Sequence, residues 1–345
     1  MGPPVKRIRK RRATRDTLAR AAVGPRVRAR YDAAFSVFRE YLRVHERPLH
    51  RFAFRNVYQL ERRAEWDTEM ERYIERMKGV DSDPRDLPPK DSAFRFAHGS
   101  WSGNLLYCSV VDVYPELKDQ LPRALRALVA WHRGEETDPA PPLPKRVAVA
   151  AAGQMFSTGD DEAAICLLTQ FDVFVRPAEL FSMQRLYLQF NKSNVRAGVG
   201  VGLWGTKTSK GVHEHVVVRD PGVCVLLYHY YGTSAPERYL WSQSPQAFRD
   251  RFYSALAALG LESYKFRPYS VRRGGATADF AHHQSWDVSC DRGRWANART
   301  ARIYLKDALA STLEASFTAE MRRRIAKYYG YTVRAVEQAE RKVFK

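Results

Sequence analysis

The sequence predicts a mainly helical α+β chain whose second half carries a small β-sheet. Three observations predict it. Apolar residues return at helical spacing, as in Tyr31, Phe35, Phe38 and Leu42 and again in Phe248, Phe252, Leu256 and Leu259. Two short apolar or alternating runs, 199–205 and 212–218, flank a polar turn in the manner of paired strands. A stretch with four prolines and no periodicity, 134–146, separates the two halves. A chain of 345 residues, 45% hydrophobic, builds two substantial cores at roughly 150 residues each.

In chain order, residues 1 to about 25 form a basic arm. Its run Lys6, Arg7, Ile8, Arg9, Lys10, Arg11, Arg12 is too like-charged to fold alone and suits phosphate contact, a nuclear import signal or a solvated tail. Residues 26–133 read as a small helical domain. The stripe at 31–42 is flanked by Arg28, Arg30, Arg39 and Arg43, and further helices are expected near 56–78, 102–113 and 116–133, with 81–89 as a loop. Residues 134–146 read as a stiff extended linker. From about 147 a second domain follows, with a helix near 159–170, the two strands, and a helix that stops at Gly260, a residue favoured just past a helix end.

With 57 Lys plus Arg against 38 Asp plus Glu, the formal charge is +19 and the pI about 9.9. That balance favours a polyanion through counterion release, DNA or RNA alike, but no RNA-module motif is recognisable. The four cysteines, Cys108, Cys166, Cys224 and Cys290, lie far apart without a CxxC pair, so neither a disulfide framework nor a zinc ribbon is expected. His213 and His215 share a strand face but have no third ligand nearby, and His282 and His283 lie in a helical run as packing or surface residues. No run of about 18 apolar residues and no secretory signal is found, so neither a membrane partner nor a small-molecule substrate is expected. The expected place is inside the cell with DNA: the nucleus in a eukaryotic host, the cytoplasm otherwise.

The chemistry-bearing residues lie in three boxes. The first is Val175-Arg176-Pro177-Ala178-Glu179-Leu180, and the second is the turn Gly205-Thr206-Lys207-Thr208-Ser209-Lys210-Gly211. The third runs from Arg267-Pro268-Tyr269-Ser270-Val271-Arg272-Arg273-Gly274-Gly275 to Gly293-Arg294-Trp295 and on to Tyr304, with Trp295 23 residues after Arg272 and Tyr304 nine after Trp295. Arginines neutralise phosphate oxygens as transition-state charge grows, an indole donates one hydrogen bond, and a phenolic hydroxyl attacks phosphorus.

These boxes, in this order, resemble the tyrosine recombinase and integrase family, and the spacing of Arg272, Trp295 and Tyr304 is similar to its Cre-like branch, where tryptophan replaces the usual histidine. The resemblance implies a helical core-binding domain and a catalytic domain closing as a C-shaped clamp on double-stranded DNA. It implies Arg176 and Arg272 on the scissile phosphate, Glu179 behind Arg176, Trp295 as a positioning donor, Tyr304 as nucleophile and Lys207 as general acid, with Lys210 the competitor in the same turn. No metal, ATP or other cofactor is required. Lys6, Arg7, Arg9, Lys10, Arg11, Arg12, Lys210 and Arg273 are expected on DNA, Arg273 alternatively as a structural arginine, and Arg294 and Arg299 as solvated or phosphate-positioning residues. Tyr269 stands where the family usually has histidine, and a phenol is a poor base unless its pKa is lowered; this leaves open a relative that binds DNA without cutting it, as well as strand relaxation of the topoisomerase kind. The family also implies a homo-tetramer on DNA through a C-terminal helix. The stripe Leu313, Phe317, Met321, Ile325 and Tyr328 fits either such docking or packing on its own domain.

Overall fold

The computed structural model describes residues 23–46, 60–78, 100–135, 140–203, 214–296, 298–302 and 307–344. The basic run Lys6–Arg12, the loop 81–89, Lys207, Lys210, His213 and Tyr304 lie outside the described residues. The chain divides into two compact units, 1–138 and 139–345.

The first unit is helical among its described residues: α1 (Pro25–Val44), α2 (Leu60–Met77), α3 (Ser100–Val113) and α4 (Pro122–Gly134). The expected α1 stripe is real, with Phe38 and Leu42 buried against Trp66, Met70, Ile74, Leu106, Val110 and Trp131. The helix expected at 116–133 starts later, because Pro115–Leu117 forms a 3-10 turn and Pro122 opens α4. Helix α4 has no capping side chain of its own. Buried Asp67 of α2 supplies one, accepting from the N–H groups of Arg123 and Ala124, each at 2.9 Å, so the carboxylate meets the positive end of the helix.

The second unit contains α5 (Lys145–Ser157), α6 (Asp161–Val173), α7 (Pro177–Phe181), β1 (Leu188–Phe190), β2 (Val199–Leu203), β3 (Glu214–Val218), α8 (Pro221–Tyr231), α9 (Pro245–Leu259), α10 (Pro268–His283), α11 (Trp286–Gly293), α12 (Ala298–Ala301), α13 (Asp307–Ala315) and α14 (Ala319–Val343). The strands form one antiparallel sheet in the order β1-β2-β3, with Val201 opposite Val216 and Leu203 opposite Glu214. The chain is thus mainly α with a small sheet. Helix α9 ends where expected, at Gly260 in the left-handed region with φ +75°.

Helix α5 has no counterpart in the periodicity reading. Val147, Ala148, Ala150, Ala151, Ala152 and Met155 are all buried, so it is apolar on most sides and shows no amphipathic stripe. Part of the segment read as linker also belongs to this unit. Leu143 is buried and its N–H donates to Ser270 O at 3.0 Å, while Arg273 Nη1 donates to Ala140 O at 2.9 Å.

The C-terminal stripe packs on its own unit. Helix α14 lies along α5 and also meets α8 and α9; Phe317 and Ile325 join the main core with Leu313, Met321 and Tyr328 against it, and Thr332 Oγ1 donates to Val149 O at 2.7 Å.

Close approach of backbones fixes α10 at the centre. A Cβ on Gly274 would stand 1.9 Å from Leu143 O, and one on Gly275 would stand 1.9 Å from Phe171 O. In a free helix Gly to Ala stabilises by about 1 kcal/mol. Here Gly275→Ala is predicted to destabilise by about 1–3 kcal/mol through overpacking against α6, read as a lowered urea midpoint. An unchanged or raised midpoint would contradict this packing.

Candidate active site

Helix α6 ends at Phe174, a buried residue in the left-handed region with φ 37°. That reversal brings the extended Val175 and Arg176 out of the helix, and Pro177, with its fixed φ, starts α7 one residue later. Glu179 reaches back across this turn. Its Oε2 accepts the Arg176 backbone N–H at 2.8 Å and its Oε1 accepts Arg176 Nη1 at 2.6 Å. Arg176 keeps 24% of its side chain exposed.

Arg272, in the first turns of α10, is 0% exposed. Its Nη1 donates to Phe174 O and its Nη2 to Gly293 O at 3.1 Å. Both carbonyls lie at helix C-termini, α6 and α11, where unpaired acceptors and the negative end of the dipole favour a cation. The Trp295 ring lies 5.3 Å from the Arg272 guanidinium carbon and stacks with Phe174 at 6.2 Å between centroids. Trp295 itself is buried and its backbone N–H donates to Cys290 O at 2.9 Å.

Arg294 completes the cluster. Only 8% of its side chain is exposed; Nη2 donates to Glu179 Oε2 at 2.7 Å and Nη1 to Glu214 Oε2 at 2.9 Å. It thereby joins α7 to the first residue of β3, across 115 and 80 positions of sequence. Burial works to raise the Glu179 pKa, but the hydrogen bond and charge of Arg294, with the bonds from Arg176, outweigh it and hold the carboxyl below its ordinary value.

Of the residues singled out in the sequence, Arg176 is paired with Glu179 and Arg272 lies beside Trp295; the two pairs are linked through Phe174, two residues before Arg176, and through Arg294, which is next to Trp295 and bonds Glu179. Tyr269 is half-buried in the first turn of α10. Arg273 is 9% exposed and donates Nη1 to Ala140 O. Lys207 and Lys210 lie outside the described residues, in the sequence between Leu203 and Glu214; Tyr304 follows Arg302 by two residues and is likewise outside. His215 and Arg299 are exposed, and so are His282 and His283, whose Nε2 at 283 lies 3.5 Å from Asp279 Oδ1. Among the described residues no group of three His, Cys, Asp or Glu could hold a metal, and no helix is long and apolar enough to cross a membrane.

Two features escape motif reading. Glu214 carries no signal, since it sits in a strand and its partner Arg294 lies 80 residues away. Arg294 reads as one more surface arginine, although φ +55° for a non-glycine residue between Gly293 and Trp295 marks a constrained position.

No protein-family model matches the chain, and no curated protein matches it. Among solved structures, the chain is similar to one described as the crystal structure of XerA recombinase, with a TM-score of 0.39, 13% sequence identity and coverage of 82% of this chain and 97% of that chain.

The lowered Glu179 pKa has a pH consequence. A carboxyl depressed by folding contributes stability that is present above its unfolded value, about 4.3, and lost as pH falls through the folded value. Glu179→Gln is predicted to cost about 1.5–3 kcal/mol per charge-assisted hydrogen bond lost at pH 7. Its deficit against the wild type should shrink when urea unfolding is repeated near pH 3. A deficit independent of pH would contradict the ion-pair account.

Proposed function

We propose that the chain is a DNA strand-cutting and rejoining enzyme of the tyrosine recombinase type, acting through a 3′-phosphotyrosine intermediate. The observation that supports it is that two pairs drawn from separate boxes of the sequence, Arg176 with Glu179 and Arg272 with Trp295, stand at linked turns: Arg272 donates to Phe174 O, two residues before Arg176, and Arg294, next to Trp295, bonds Glu179. The +19 charge supports a nucleic-acid substrate.

In this reading Arg176 and Arg272 hold the non-bridging oxygens of the scissile phosphate. Arginine suits both places because its planar fork matches phosphate geometry and it stays charged. The Tyr304 hydroxyl attacks phosphorus as its proton passes to solvent water, the bond from phosphorus to the 5′ oxygen breaks, and Lys207 protonates that oxygen. Attack by a 5′-hydroxyl on the phosphotyrosine reverses the step and rejoins a strand. The phosphodiester energy is kept, so neither ATP nor metal enters. Tyr269 donates a hydrogen bond rather than transferring a proton, and Trp295 positions. Duplex DNA is the partner in this reading, the basic run Lys6–Arg12 contacts its phosphates, and four copies assemble on it.

One observation favours a second reading. Arg272 is wholly enclosed, with two donors on backbone carbonyls, so a phosphate reaches it only if its enclosure at Trp295 opens on DNA binding. A chain in which that opening never happens binds DNA without cutting it.

A library of nicked duplexes of randomised sequence separates the readings. The wild type is predicted to form a denaturation-resistant DNA adduct, Tyr304→Phe none, and Arg176→Ala and Arg272→Ala about 100-fold less or worse. Retention of duplex without any adduct in the wild type supports the binding-only reading. Relaxation of supercoiled plasmid without a preferred site supports a topoisomerase-type activity.

A further inference from the structure

We propose that Arg294 is a positioning residue for strand cleavage, acting through Glu179 on the Arg176 guanidinium. The inference rests on the reading of Arg176 as a phosphate ligand and goes beyond it, since the sequence leaves Arg294 as a solvated or phosphate-positioning residue.

Four observations carry it. First, Arg294 occupies the left-handed region at φ +55°, where it caps α11. Glycine adopts that backbone freely and other residues do so at a cost, so the cap alone gives no reason for an arginine. Second, the side chain is buried and both its terminal nitrogens go to carboxylates on other elements, Glu179 at 2.7 Å and Glu214 at 2.9 Å. A guanidinium fork can serve two acceptors at fixed angles, which an ammonium cannot.

Third, the two oxygens of Glu179 are divided. Oε1 takes the Arg176 side chain, and Oε2 takes both the Arg176 N–H and Arg294. Arg294 therefore pins the plane of the carboxylate, and the other oxygen of that plane sets where the Arg176 guanidinium stands. Glu214 in turn anchors Arg294 to the start of β3, a strand held in register by Val201 opposite Val216. Fourth, the cluster balances two guanidiniums against two carboxylates. Without Arg294, Glu179 would lose the donor that holds it from another element, and the plane of its carboxylate would no longer be set.

The test is single-turnover cleavage at saturating DNA, using a nicked duplex that the wild type converts to adduct. Arg294→Gly keeps the cap and removes the fork. It is expected to slow cleavage by about 100-fold, the scale of a misplaced reacting group, while the DNA dissociation constant stays within about threefold of the wild type. Arg294→Lys should rescue little, because one ammonium cannot hold both carboxylates in that geometry. In the Arg176→Lys background, followed over hours to obtain its residual rate, Arg294→Gly should add less than about twofold, since the effect passes through Arg176.

A full 100-fold effect in the Arg176→Lys background overturns the inference, and so does a loss of DNA affinity equal to the loss of rate. If Arg294→Gly alone does not fold, Arg294→Gly with Glu214→Gln takes its place; Glu179 keeps Arg176 as partner and β3 carries no unpaired carboxylate, and the same two outcomes decide. A wild type that forms no adduct with any duplex overturns the functional reading and takes this inference with it. Adduct in the wild type with unimpaired Arg294→Gly overturns the inference alone.

Discussion

A guanidinium with no exposure to water stands at the centre of the second unit. Burying an isolated cation costs several kcal/mol even after relaxation, and hydrogen bonds to backbone carbonyls help Arg272 to offset that cost. It donates to Phe174 O and Gly293 O, at the C-termini of helices α6 and α11, where a helix leaves its last carbonyls without intrahelical partners. For this to work, α10 must lie almost against the end of α6, and the Gly274 and Gly275 pair permits that approach. The left-handed turn at Phe174 and the stack of Phe174 on Trp295 then follow from where the cation sits. Gly-Gly after an Arg-Arg pair is thus a packing requirement for a buried charge.

From that centre a second set of polar contacts runs outward. Phe174 is two residues from Arg176 and Gly293 is adjacent to Arg294, so fixing Arg272 also fixes the starting points of the two arginines that share Glu179. Arg176 is the more exposed of the two; in the proposed reading it meets the phosphate and Arg294 braces it. This division, one cation outward and one held behind its carboxylate, is the arrangement expected where orientation of a charged group matters more than its mere presence.

Much of the fold was legible because the responsible physics is local. The stripe through Phe38 and Leu42, the alternation of β2 and β3, and the stop of α9 at Gly260 each depend on residues within a few positions. Helix α5 was not legible, since Val147 through Met155 is buried on most sides and gives no period. Its acceptance of α14 was equally hidden: the stripe from Phe317 to Tyr328 announces an apolar partner without saying that the partner is in the same unit. Prolines marked 134–146 as extended, yet Ala140 and Leu143 are tied to α10, contacts that span more than 120 positions. The same limit applies at the site. Motif spacing singled out Arg176, Glu179, Arg272 and Trp295, but the enclosure of Arg272 and the pairing of Arg294 with Glu214 arise from contacts across 98 and 80 positions.

The central proposal is that Arg176 and Arg272 serve one phosphate. A structure of the chain bound to a nicked duplex tests it most directly. The account predicts the scissile phosphate within hydrogen-bond distance of both the Arg176 and Arg272 guanidiniums, with at least one Arg272 donor released from Phe174 O or Gly293 O and the Tyr304 oxygen facing phosphorus. Arg272 still enclosed on both carbonyls, with the duplex bound and no phosphate near Arg176, would contradict it.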